Sequence, residues 1–216
     1  MDGLDWIEVI IRVDIGKHRE WIHNRNIKSN MWKIIFYSNI ILLNMNLIDL
    51  MYKRRSTRKF SDEEISKEDL ELILESALLA PTAMNRKPCE FIVVSNKKTL
   101  KELSESKDMG AKLIAGANKA IVVIADGNLA DTWVEDSSIA LTHMHLMATE
   151  LDIGSCWVQV HLKTKGDQDC EDVVRDILNL DSHYRIVGIL AFGHSNKTPR
   201  PYTPEDIDKS KIRYID

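Results

Sequence analysis

Along the chain, short apolar runs alternate with longer stretches in which apolar residues return every three or four positions. That alternation predicts the elements. Residues 90–95 (EFIVVS) and 120–125 (AIVVIA) are rich in β-branched residues and read as buried strands. Residues 156–160 and 185–192 read as two more. Helical spacing links Leu70, Ile73, Leu74, Ala77 and Leu78. Before them, Ser66-Lys67-Glu68-Asp69 is a capping-box-like start with Ser66 at the N-cap, and Pro81 marks the end. The longest helical stretch covers 133–151, with Ala140, Met144, Met147, Ala148 and Leu151 as its buried stripe. Shorter helices are expected over 46–53, 98–106, 110–115 and 171–178. Strands and helices mixed in this order predict an α+β domain over residues 45–216.

The first 44 residues follow another pattern. They mix apolar and charged positions without a clean period and hold Trp6, Trp21 and Trp32 together with Asn24, Asn26, Asn30 and Asn39. One reading makes 1–44 an accessory or poorly ordered extension, translated ahead of a start at Met45 or Met51. The other makes it a genuine N-terminal helix that wraps a second subunit.

Composition narrows the classes. With 216 residues and 44% hydrophobic content, the chain can bury a sizeable core without disulfides or a structural metal. A net charge of −4 gives no overall field favouring nucleic acid or an anionic membrane. Cys89, Cys156 and Cys170 are odd in number and form no C-x-x-C pair, so neither a disulfide framework nor a thiolate zinc site is expected. A reducing, cytoplasmic location follows. The apolar run 34–43 is too short to span a bilayer, and the acidic start (Asp2, Asp5, Glu8) does not fit a signal peptide.

Three segments carry candidate chemistry. Arg54-Arg55-Ser56-Thr57-Arg58-Lys59-Phe60 concentrates cations and hydroxyls, donors suited to phosphate; taken alone, it also reads as a solvated basic turn. Ala80-Pro81-Thr82-Ala83-Met84-Asn85-Arg86-Lys87-Pro88 is a stiff loop whose backbone amides and Asn85 suit the edge of an amide-like heterocycle. Gly154-Ser155-Cys156-Trp157-Val158-Gln159 could floor a flat ring, and Lys197 and Arg200, after the last strand, could return to the same phosphate.

In this order the segments R-R-S-T-R-K-F, A-P-T-A-M-N-R-K-P and G-S-C-W-V-Q resemble the nitroreductase family, as does the final P-Y-T-P-E-D-I-D-K-S-K-I-R-Y. The resemblance covers residues 45–216. It implies a central, mostly antiparallel sheet of about four or five strands flanked by helices, in an interlocked homodimer with FMN at the interface. It places Arg54 and Ser56 on the FMN phosphate, with Lys197 and Arg200 closing from the tail and Arg55 less firmly assigned. Arg58 matches a basic position near the flavin N1/O2 edge, where a cation stabilises the charge of the reduced ring. Pro81, Thr82, Ala83 and Asn85 would reach the ring from the other subunit. Trp157, Val158 and Gln159 would lie beneath it, with backbone donors near N5 and O4. The implied activity passes hydride from NADH or NADPH, through the flavin, to small electrophiles such as nitroaromatics and quinones by ping-pong kinetics. No separate catalytic side chain is required.

Other readings stay open. A flavin-binding or redox-sensing module without useful turnover has the same motifs, as does a specialised branch such as a reductive dehalogenase. The stretch 103–118, where substrate choice would lie, shows no signature beyond Glu105 and Lys112. A nucleic-acid site built on residues 54–59 is opposed by the acidic overall balance. His143 and His145 sit at i, i+2 on a helix and face apart, which does not suit a metal. Cys156 reads as a buried packing residue rather than a redox thiol.

Overall fold

The computed structural model describes the backbone of residues 9–15 and 18–24, and residues 46–215 apart from 196 and 198. The apolar run 34–43 and Met45, together with Asn196 and Thr198, lie outside the described residues. The chain divides into two units, Met1–Asn46 and Leu47–Asp216. In the first, β1 (Val9–Ile15) and β2 (His18–Asn24) pair antiparallel, Val9 opposite Asn24 and Ile15 opposite His18. These described parts of the extension are strands, where the alternative reading had a helix.

The second unit is built on a sheet of β3 (Cys89–Val94), β4 (Lys119–Asp126), β5 (Gly154–Gln159) and β8 (Tyr184–Gly193). Its order is β3-β4-β8-β5, antiparallel throughout. A short hairpin, β6 (Thr164–Lys165) with β7 (Gln168–Asp169), lies apart from it. Side chains alternate across a strand, so β4 serves two cores. Ala120, Val122 and Ile124 pack on one face with α3 (Lys97–Ser104) and α5 (Cys170–Leu178), through Leu100, Leu103 and Val174. Ile121, Val123 and Ala125 pack on the other with α2 (Lys67–Leu78) and α4 (Trp133–Glu150), through Ile73, Ala77, Leu141 and Met144. Burial on both faces explains why β4 is an unbroken apolar run.

β3 departs from expectation. It is an edge strand with Glu90 and Val93 exposed, so it is only half buried. Ser66 caps α2 by accepting from Asp69 N at 3.0 Å, and the helix stops at Leu78, ahead of Pro81. The stretch after α3 forms a 3₁₀ turn at Lys112–Gly116 rather than an α-helix. α1 (Leu47–Lys53) buries none of its residues; Leu47, Ile48 and Met51 are exposed. No helix among the described residues is long and apolar enough to cross a membrane.

Candidate functional site

β5 has β8 on one side only, and the basic segment after α1 closes on its other edge. Thr57 N–H donates to Ser155 O at 2.9 Å, and Ser56 bridges Ser155 in parallel. Gly154 permits the approach: a Cβ there would lie 2.7 Å from Thr57 Cγ2 and 2.9 Å from Thr57 Cβ. Neighbouring side chains on this extended piece leave in opposite directions, and Arg54 and Arg55 accordingly meet different partners.

Arg54 turns inward. Its Nη1 donates to His145 Nε2 at 3.0 Å, and His145 Nδ1 lies 2.5 Å from Ser155 Oγ. Arginine has only donors, so Nε2 must accept and Nδ1 carries the proton. Burial first, and the Arg54 charge second, push the His145 imidazole down to about 4. It is neutral at physiological pH. Arg58 remains exposed and donates to Ser56 O at 3.3 Å.

Arg55 meets the tail. Its Nη1 donates to Arg200 O, and its guanidinium lies 4.3 Å from the Tyr202 ring centroid. Tyr202 N–H donates to Tyr52 O at 2.9 Å. Between these segments lies a cavity of about 330 Å³, lined by Lys53, Arg55, Thr57, Asp152, Gly154 and residues 199–201 among others; Arg54, Ser56 and Lys197 do not line it. The tail's expected cations behave differently from each other. Arg200 is clamped by Asp206 through two 2.7 Å bonds, which hold the Asp206 carboxyl far below its usual range. Lys197 is exposed.

On β5, Ser155 O points off the sheet edge to Thr57, so Trp157 and Gln159 present their N–H and C=O groups to that same edge. Val158 instead turns its backbone toward β8 and buries its side chain in the core. Trp157 Nε1 donates to Gln159 Oε1 at 3.0 Å, and Gln159 Nε2 donates to His161 O at 3.1 Å. Gly188 makes room for the indole, since a Cβ there would be 2.5 Å from Trp157 Nε1. Lys107 Nζ donates to Gln159 O at 2.8 Å, and burial lowers its pKa. The sequence offered no sign of this lysine at the strand edge. Burial raises the Cys156 thiol against the opposing pull of Arg58, Ser56, Arg54 and Lys107, so cations do stand near it and it stays protonated.

The loop 81–88 is held elsewhere. Ala83 N–H donates to Asp136 Oδ1 at 3.0 Å, Thr132 Oγ1 donates to Asp136 Oδ2 at 3.2 Å, and Lys87 N–H donates to Thr82 Oγ1 at 3.0 Å. Met84, Asn85 and Lys87 have φ of 52°, 55° and 51°, a tight fold that leaves Pro81, Met84 and Asn85 exposed. Asp136 is buried and organises the loop. Asp136 and His145 are nine residues apart on α4, roughly 13 Å at ~1.5 Å per residue. Within one chain, the loop and the Arg54 contact thus belong to different ends of that helix.

A second polar cluster carried no sequence signal, because its members sit on different elements and share no local spacing. Glu171 is 2% exposed and receives His161 Nδ1 at 2.6 Å, Arg185 at 2.9 and 3.0 Å, and Ile186 N–H at 3.0 Å. Burial alone would raise its carboxyl, but these donors outweigh it and hold the pKa below normal. Arg185 stacks on Trp133, 4.3 Å from the ring centroid, with His161 edge-on to the same ring. Trp133 is therefore largely a packing residue.

The family model described as "Nitroreductase family" matches residues 51–120 and 101–194. The chain is 37% identical to an FMN-dependent nitroreductase from Clostridium difficile R20291, covering 78% of this chain and 99% of that one, with a TM-score of 0.77. It is 35% identical to the "Putative NADH dehydrogenase/NAD(P)H nitroreductase" of Archaeoglobus fulgidus, over 74% of this chain and 91% of that protein. A nitroreductase with bound FMN from Desulfitobacterium hafniense DCB-2 is 25% identical, covering 80% of this chain and all of the other (100%), with a TM-score of 0.62.

Proposed function

This chain belongs to the nitroreductase family, and from that premise we propose that it is an FMN-dependent oxidoreductase that takes hydride from NADH or NADPH and reduces small electrophiles such as nitroaromatics and quinones. One observation carries the reading. The basic segment and the tail, 145 positions apart at Arg55 and Arg200, close on a common cavity. The same docking on β5 gathers Arg54, Ser56 and Arg58 around Cys156, a donor set that fits a phosphate, next to that cavity but outside its lining.

Arg54 and Ser56 from the front, with Lys197 and Arg200 from the tail, would hold the phosphate, while Arg55, turned the other way, would tie the tail to the basic segment. Arg54 uses one N–H group on His145 and keeps others for an anion. Arg200 spends three N–H contacts on Asp206 and Pro201 O, which fixes the tail against the cavity. Arg58, exposed beside Ser56, would face the N1/O2 edge of the ring. The edge-directed N–H groups of Trp157 and Gln159 would serve N5 and O4, a role for which the Val158 backbone is turned the wrong way. Pro81, Thr82, Ala83 and Asn85 would come from a second subunit. The distance of this loop from the Arg54 contact along α4 supports that assignment. Bound FMN supplies the hydride chemistry at N5; the protein supplies binding, orientation and charge.

The test is spectroscopic and kinetic. Purified protein should show the visible bands of a flavin, released as FMN on heating, and should oxidise NADH or NADPH with menadione or nitrofurazone along parallel double-reciprocal lines. Colourless protein that gains no flavin on incubation with FMN would reject the proposal. Flavin-loaded protein without turnover would leave a binding module.

A further inference from the structure

We propose that His145 is a positioning residue for phosphate recognition, holding the Arg54 guanidinium in the orientation that the cofactor phosphate requires. The inference rests on the reading that Arg54 meets that phosphate.

A long arginine side chain samples many rotamers, and one fixed beforehand loses less freedom when it binds an anion. His145 is suited to fix it. The ring is 6% exposed on the inner face of α4. Its Nδ1–H is committed to Ser155 Oγ at 2.5 Å, and its Nε2 faces Arg54 Nη1 at 3.0 Å. Ser155 also accepts Thr57 N–H through its carbonyl at 2.9 Å. Backbone and side chain of the basic segment are therefore tied to one serine, the backbone directly and the Arg54 side chain through the imidazole.

The tie requires a neutral ring, and its surroundings supply one. Arg54 is the charged group acting on it from the basic segment. On β5, the neighbouring Cys156 thiol is kept protonated by burial. Past the end of α4, Asp152 is engaged by Lys53 of α1 at 2.6 Å. On α4 itself, Thr149 Oγ1 donates to the His145 carbonyl, not to the ring. None of these contacts gives the imidazole a carboxylate partner, so the acceptor lone pair on Nε2 stays available to Arg54.

The experiment compares FMN with riboflavin, which lacks the phosphate, in equilibrium titrations of the full chain. His145→Leu should weaken FMN about tenfold, the worth of one charge-assisted hydrogen bond, and leave riboflavin affinity unchanged. His145→Gln, which can place an acceptor where Nε2 stands, should recover most of the FMN affinity. His145→Asn, which can keep only the link to Ser155, should not. Unchanged FMN affinity in His145→Leu, or equal losses for both ligands, overturns the proposal. Arg54→Ala separates the two layers. If it weakens FMN while His145→Leu does not, the inference fails alone; if it leaves FMN unchanged, the phosphate reading fails first. Circular dichroism of each variant checks folding, and the Gln and Asn pair keeps the comparison decisive should the leucine variant misfold.

Discussion

Burying a neutral imidazole beside an arginine has a consequence for acid stability. An unfolded chain takes up a proton at His145 near pH 6.5, whereas the folded chain resists until about 4. As pH falls through that window the unfolded state binds more protons, so stability drops, by roughly 3 kcal/mol at the lower end. Above pH 6.5 this group contributes no pH dependence. Urea unfolding of the wild type between pH 7 and 4 should show that slope, and His145→Leu should flatten it; parallel slopes in the two proteins would contradict the assignment. At this scale the sequence was only partly legible. Arg54, Arg55 and Ser56 stood out as a phosphate-suited cluster, but Arg55 was the less certain member, and it is the one that touches the tail. His145 is set aside as a metal ligand and carries no other sequence signal, because its partner lies 91 positions away. Glu171 went unremarked because its donors, only 10 to 15 positions away, sit on separate elements, β8 and the turn after β5, and meet only in the fold.

Elements were legible wherever period and punctuation agreed. The run through β4, the Ser66 cap and the span of α4 all follow local rules, and the structure follows them. Edge status was not legible, because which strand has a neighbour is a tertiary fact: β3 is half exposed, and β5 receives the basic segment instead of a strand. The fit of that segment depends on Gly154. Gly154→Ala would drive a Cβ to 2.7 Å from Thr57 Cγ2, and the Thr57 Cβ at 2.9 Å cannot swing aside. The basic segment should lift from the strand edge, at a cost of about 1–3 kcal/mol. The expected result is a chain that folds, with a lower midpoint in urea, and retains little FMN after dialysis. Full flavin content in this variant would mean that the docking of residues 54–58 on β5 does not shape the site.

For the whole molecule, the α+β fold could be read from the alternation of strand and helix periods and the family from the order of three motifs, of which only residues 154–159 lie on the antiparallel four-stranded sheet. Assembly is a further proposal. Leu47, Ile48 and Met51 on α1, and Ile207, Ile212, Tyr214 and Ile215 in the tail, are exposed in a single chain. Exposed apolar side chains in such numbers suit the cover of a second subunit, which would also bring its own loop 81–88 to the ring. The extension forms a unit of its own with a β-hairpin, outside the residues matched by the family model. On the proposed reading, the front and back of the domain close on one phosphate beside the edge of β5. The most direct measurement is the ratio of FMN to riboflavin affinity in the wild-type protein. Several charge-assisted hydrogen bonds to the phosphate predict FMN tighter by about a hundredfold or more, a preference that should shrink as salt is raised. Equal affinities for the two ligands at low salt would contradict the account.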